Sequence, residues 1–504
     1  MKEPPVLHPF LFVAFPILAL YVHNKTEVLL SVVVWPLVVC LSATFVVWVV
    51  LSLLMRDAAK AGVIVSLLVV LLFAYVHIYN AIEDLMLGSF EIGRHRYLMP
   101  VLGVLGVVAI VYAARTKRRI APFTSILNVA GGVLLLLTLG NGLWFEFTGR
   151  TSITDASRDD PEWTNRDVNA GVGYKPDIYY IVLDRYASEE TLRRAYGYDN
   201  GPFIRYLEEA GFYVASKSRC NYAGTLASLA STLNLTYLDR VKEEAADSPD
   251  RTAVYPLLRN YKVQRYLRSV GYRYVHMGSW WPPTRTNPFA DQNVRYGPRL
   301  SEFSMQLVRT TPPGLLLSYW RRDTIQRQRV LHKLNMMPEI IRQPGPKFVF
   351  LHLLLPHDPY LFGREGETVA PDERKQRSDR ENYVNQLVFT DSEMRELVTR
   401  ILAESKRPPI IILTSDEGPT VPRVGKRNRF TKEACAIRTG ILNAYYFPGV
   451  EAAELHPSIT PVNTFRVLFD SYFGTHYGLL EDRVYWSEDP VYPYRFVDVT
   501  DKTW

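Results

Sequence analysis

Cysteine is scarce in this chain, with three in 504 residues, at positions 40, 220 and 435. Cys40 lies in an apolar run and reads as packing. At most one disulfide, between Cys220 and Cys435, is therefore open to the protein, and two unpaired thiols are the equal alternative. No internal repeat or low-complexity block is present, which excludes a solenoid. The formal net charge of +7 would suit nucleic acid. However, no basic helix or zinc-finger spacing accompanies that charge, so nucleic acid is not an expected partner. The long apolar runs near the N-terminus lack the charged residues that line a transport path.

Those runs divide the chain. Five segments, Leu7–Val22, Val28–Met55, Ala61–Ile78, Leu98–Ala114 and Ile126–Trp144, read as membrane spans, each near the length of about 20 apolar residues that a crossing needs. The first is the shortest and carries Pro9 and Pro16. If all five cross, Lys2, Arg56, Lys60, Arg115, Lys117, Arg118 and Arg119 share one side, against Lys25, Arg94 and Arg96 on the other. That bias places the N-terminus in the cytoplasm and everything after Trp144 outside the cytoplasmic membrane. A first segment lying in the interface would instead put the second half inside. The expected organisation is a transmembrane domain over 1–144, a polar linker over 145–174 and a soluble domain over 175–504.

In the soluble half, apolar runs suited to strands buried on both faces end on polar groups. Asp177-Ile-Tyr-Tyr-Ile-Val-Leu-Asp184 ends on a carboxylate, and Tyr272-Arg-Tyr-Val-His276 and Phe348–His357 end on imidazoles. Ile410-Ile-Ile-Leu-Thr-Ser-Asp416-Glu417 ends on a carboxylate pair. Helical patterns lie between them, as in Phe203–Gly211 and Tyr383–Leu402. This alternation predicts an α/β domain with a mostly parallel, helix-covered sheet, whose ligands bind beyond the carboxyl ends of the strands. Single polar endings are common on buried strands, so the matched set carries the expectation of a site. His352, inside an apolar run, reads as a core histidine. Lys426-Arg-Asn-Arg429 reads as a solvated loop, with contact to an anionic headgroup as the alternative.

Asn221-Tyr-Ala-Gly-Thr225-Leu-Ala-Ser228 places a glycine and a hydroxyl at a predicted helix start. Such a start offers free N–H groups to an anion, and the alternative role for Thr225 is a simple cap. The carboxylates Asp184, Asp416 and Glu417 need a cation to share one pocket.

The strand Ile178–Asp184, the Thr225-Leu-Ala-Ser228 helix start, Pro356-His-Asp-Pro-Tyr360 and Leu413-Thr-Ser-Asp416-Glu-Gly418 resemble, in order, the motifs of the alkaline phosphatase/sulfatase superfamily. The resemblance covers roughly Lys175 to Gly474. With five preceding spans the chain looks like lipoteichoic acid synthases and, more loosely, phosphoethanolamine transferases. Those relatives move a phosphorylated headgroup from a lipid through a phosphothreonine. The resemblance implies Asp184, Thr225, Asp416 and Glu417 as metal ligands and Thr225 as nucleophile. It also implies that His357 contacts the transferred group and that His276, Trp281 and Arg285 bind substrate. The partners it implies are a lipid-linked or envelope phosphoester and membrane lipid.

Two departures bear on the chemistry. Thr225-Leu-Ala-Ser-Leu229 is not a formylglycine motif, which removes support for true sulfatase catalysis. Asp416-Glu417 stands where the superfamily usually has Asp-His. A carboxylate in place of imidazole favours Mn²⁺, Mg²⁺ or Ca²⁺, with Zn²⁺ as the other candidate. The alternatives are a hydrolase of phosphodiesters or sulfate esters, and a catalytically reduced protein that binds envelope polymers.

Overall fold

The computed structural model describes all residues except 1–2, 84, 88–89, 92–93, 118, 152, 154–174, 298–299, 421–430, 450–453 and 503–504. Most of the expected linker, the basic loop Lys426–Arg429, Lys2 and Arg118 thus lie outside the described residues. The chain forms two compact units: residues 1–150 with 299–322, and residues 151–298 with 323–504.

Among the described residues, the N-terminal stretch of the first unit holds five helices: α1 His8–His23, α2 Ser31–Met55, α3 Ala58–Ile82, α4 His95–Arg115 and α5 Ala121–Thr148. α2 to α5 are long and apolar enough to cross a membrane; α1, at 16 residues, is shorter. α5 runs four residues past the expected end of the last span, because Phe145 and Phe147 prolong its apolar pattern. α1 lies beside α5 in the same direction. The His8 amide donates to Asn128 Oδ1 at 2.8 Å, and further along both helices Tyr21 meets Glu146. Ile17 and Tyr21 are buried where α1 meets its neighbours. A later segment also belongs here: the helix Glu302–Arg309 inserts Phe303 and Leu307 among Val13, Ile17 and Val33.

The second unit is built on a seven-stranded mixed sheet. Its strands are β1 Ile178–Leu183, β2 Tyr213–Val214, β3 Arg273–Met277, β4 Gln292–Asn293, β5 Lys347–Leu353, β6 Ile410–Ser415 and β7 Asn443–Tyr446, in the spatial order β2-β7-β6-β1-β5-β3-β4. β4, β3, β5, β1 and β6 pair in parallel, and β7 runs against β6 and β2. The three central strands are buried along their whole length, which explains their unbroken apolar character.

Strand alternation then sorts the side chains into two cores. Ile178, Tyr180, Val182, Phe348, Phe350, Ile410 and Ile412 face one, together with α6, Thr225–Asn234, which contributes Leu229, Ala230 and Leu233. Tyr179, Ile181, Leu183, Val349, Leu351, Leu353, Ile411 and Leu413 face the other, covered by α7, Asp379–Glu404. At the amino-terminal rim Lys347 is buried and pairs with Asp177 while donating to the carbonyls of Ile341 and Gln343, both at 3.1 Å.

Candidate active site

The site follows from register. Val182 pairs with His352 on one side and with Thr414 on the other. All three point to the core that α6 covers, so Asp184 and Asp416, each one step past its strand, share the face that carries His352. Asp184, His352 and Asp416 are buried, and each offers one ligand atom within 4.8 Å of the others. Asp184 Oδ1, His352 Nε2 and Asp416 Oδ2 have no hydrogen-bond partner among the described residues. The nearest approach of the imidazole to Asp184, 3.7 Å, is too long for a hydrogen bond. Three clustered, buried residues that each carry an unpartnered polar atom are costly unless a ligand satisfies them. Two carboxylates and an imidazole fit a divalent cation.

The electrostatics agree with that fit. Burial opposes ionisation of Asp184, but His357, His352 and Arg185 outweigh it and hold the carboxyl below its ordinary range. Asp416 is pushed well above that range, first by burial and then by the charges of Asp184 and Glu417, while the Thr225 side chain works the other way. Two like charges cannot both be accommodated there without a counter-ion.

Thr225 is the first residue of α6, after Gly224 in extended conformation. Its helix packs on the same core as the strand ends, and its side chain is among the groups that act on the Asp416 carboxyl. Glu417 lies outside the three-residue group. Its Oε1 accepts from Arg185 Nε at 3.2 Å, and its other oxygen pairs with Arg438. Both carboxylate oxygens of Glu417 are thus held by guanidinium groups. Arg185 itself has φ +65°, a left-handed conformation that non-glycine residues adopt under local constraint. Here it is held by Asp358, 2.6 Å from its guanidinium, and by Glu417.

His357 is partly exposed beyond β5; its ring contacts the Asp358 carbonyl, and Gln386 donates to its own carbonyl at 2.8 Å. It lines a cleft with Ser279, Trp280, Arg329, Lys333 and Asp358. Arg285 lines an adjoining hollow together with Arg295 and Arg329, a basic surface above the buried Lys333, whose pKa burial lowers to about 7. His276 is placed differently: both ring nitrogens are taken, by the Tyr274 hydroxyl and the Thr284 carbonyl, each at 2.7 Å. Burial lowers its pKa to about 4. Trp281 packs half-buried against the core, and its neighbour Trp280 faces the cleft. Gly278 lets the loop return tightly, since a Cβ there would lie 1.5 Å from the Thr284 carbonyl. Cys220 and Cys435 are buried free thiols.

The sequence reading missed His352 as a member of the carboxylate group, and Arg185 and Arg438 as partners of Glu417. The available signal for His352 was a polar residue breaking the aromatic face formed by Phe348 and Phe350.

The described residues thus form a mostly parallel α/β sheet whose strand ends gather two carboxylates and an imidazole beside a threonine-led helix. Residues 177–465 match the sulfatase family model, and the chain belongs to the sulfatase family. No curated protein matches it in sequence. Among solved structures it is similar to the C-terminal periplasmic domain of EptC from Escherichia coli in complex with Zn, at 12% identity and TM-score 0.42, covering 65% of this chain and 94% of that one. It is also similar to the C-terminal periplasmic domain of phosphoethanolamine transferase EptC from Campylobacter jejuni, at 14% identity and TM-score 0.36, covering 60% and 90%. A third is the phosphonate monoester hydrolase of Agrobacterium radiobacter, at 13% identity and TM-score 0.37, covering 62% and 80%.

Proposed function

We propose that this chain is a membrane-anchored, metal-dependent enzyme that transfers or hydrolyses a phosphorylated headgroup, with Thr225 as nucleophile. One observation carries the reading: Thr225 opens α6 among the groups that act on Asp416, whose carboxylate shares one buried cluster with Asp184 and His352. Those two carboxylates would hold a divalent cation, which when bound supplies charge neutralisation and favours an ionised hydroxyl. The residues do the rest. The start of α6 presents backbone N–H groups to a phosphoryl oxygen, and Asp416 would accept the threonine proton. His357 faces the cleft from which a leaving oxygen would depart, and the basic lining of Arg285, Arg295 and Arg329 suits an anionic substrate.

The parallel course of α1 and α5 supports five crossings. With the basic bias of the loops, it supports a sulfatase unit outside the cytoplasmic membrane, where lipid-linked or envelope phosphoesters would be its substrates. Thr225→Ala in the full-length chain should abolish turnover of bis(p-nitrophenyl) phosphate and leave the melting temperature unchanged, because it removes a hydroxyl rather than core volume. Thr225→Ser should retain part of the rate. Full activity in the alanine variant would refute covalent catalysis at this position.

A further inference from the structure

Glu417 occupies the place where the superfamily usually carries the histidine of an Asp-His pair, and its surroundings are not those of a metal ligand. Its side chain is 4% exposed, and both oxygens are held by guanidinium groups. Arg438 does more than neutralise it. The same terminal nitrogen that meets Glu417 also donates to the Ala223 carbonyl at 3.2 Å, and its other one donates to the Gly418 carbonyl at 3.3 Å. Ala223 lies two residues before Thr225. A chain of contacts thus runs from Glu417 through Arg438 to the loop that carries the hydroxyl.

His352 has the complementary character. It is fully buried, and its Nδ1 lies 3.1 Å from Thr284 Oγ1, which in turn contacts Ser279 Oγ at 2.9 Å. When Nδ1 donates to Thr284, Nε2 presents a lone pair towards Asp184 and Asp416, and Nε2 has no other partner. A ring fixed through one nitrogen and open at the other is how protein-held imidazoles are prepared for a cation.

We propose that the imidazole of the cation site is supplied by His352, from the middle of the sheet, and that Glu417 is a positioning residue that fixes the Thr225 loop through Arg438. The assignment rests on the metal-dependent reading above. It amounts to an exchange of duties. The residue after Asp416 no longer contributes a ligand, and the strand on the far side of β1 contributes one instead.

The test uses the full-length chain in detergent with Mn²⁺ as probe. Electron spin-echo modulation of bound Mn²⁺ should show ¹⁴N coupling from a directly bound imidazole in the wild type. The coupling should persist in His357→Gln and vanish in His352→Gln, whose Mn²⁺ affinity should fall about tenfold or more. The wild-type spectrum and the His357 variant decide the assignment even if His352→Gln does not fold. Glu417→Gln should keep wild-type Mn²⁺ affinity. With bis(p-nitrophenyl) phosphate it should lower kcat at unchanged KM, and adding Arg438→Ala should lower kcat no further, because the two act as one unit. Bound Mn²⁺ without ¹⁴N coupling in the wild type, or Mn²⁺ binding lost in Glu417→Gln, would overturn the ligand assignment while leaving a metalloenzyme. Additive kcat losses in the double variant would overturn the positioning role. A chain that binds neither Mn²⁺ nor Zn²⁺ would remove the underlying reading and this inference with it.

Discussion

Replacing Asp391 by asparagine should stabilise the sulfatase unit at pH 8 and do nothing for it near pH 4. Asp391, on α7, is buried against Tyr186, whose hydroxyl donates to its carboxylate, and Asn200 Nδ2 donates to that hydroxyl at 2.9 Å. Burial raises its pKa from 3.8 to about 7, against the opposing pull of Tyr186 and the Arg395 charge. The folded state therefore holds a proton that the unfolded chain releases near pH 4. Because the folded state binds more protons, stability falls as pH rises through the window from about 4 to 7 and levels off above it. A shift of about three units at about 1.4 kcal/mol each makes the cost of the ionised group about 4 kcal/mol above pH 7. Asparagine keeps an acceptor for Tyr186 and never ionises, so it escapes most of that cost. Urea unfolding of the full-length chain in micelles, followed by tryptophan fluorescence at several pH values, gives the difference between variant and wild type. The gain should grow between pH 4 and 7 and then plateau. An offset of equal size at every pH would refute the reasoning, since only a titrating group produces the slope.

Two further outcomes follow from the same geometry. Gly278→Ala drives a methyl group into the Thr284 carbonyl; it should lower both the melting temperature and the Mn²⁺ affinity of the chain, the second because Thr284 orients His352. A reporter fused after Trp504 should be active only when it is of a kind that functions outside the cytoplasm; activity of a cytoplasm-only reporter would refute the five-crossing topology.

The legible part of this protein was the part governed by local pattern. Unbroken apolar runs gave β1, β5 and β6, because strands covered on both faces need no polar alternation. Their polar endings drew attention to Asp184 and Asp416, and the glycine before Thr225 marked a helix start. What stayed hidden depends on pairing between distant segments. His352 could be set on the same face as Asp184 only once β1 and β5 were in register. The two arginines that hold Glu417 come from positions 232 residues before and 21 residues after it. His276 ended an apparent strand as attractively as His357 did, yet the return of the chain at Thr284 takes up its second nitrogen. The helix Glu302–Arg309, whose residues pack with α1 and α2, was equally invisible, because eight residues carry too short a pattern to announce where they belong.

The central sheet also serves as a ruler. Asp184, His352 and Asp416 come from β1, β5 and β6, three strands side by side, and adjacent strands are held about 4.8 Å apart by their backbone hydrogen bonds. β5 and β6 flank β1 and so stand two spacings apart, yet the ligand atoms lie within 4.8 Å of one another. Strand register thus decides which groups can meet, and the side chains of His352 and Asp416 close the remaining distance. A one-residue slip of β5 would instead send His352 to the opposite face. Cation binding is therefore a sensor of strand registration, and a chain that has folded with β5 misaligned would be recognisable by its failure to retain the ion.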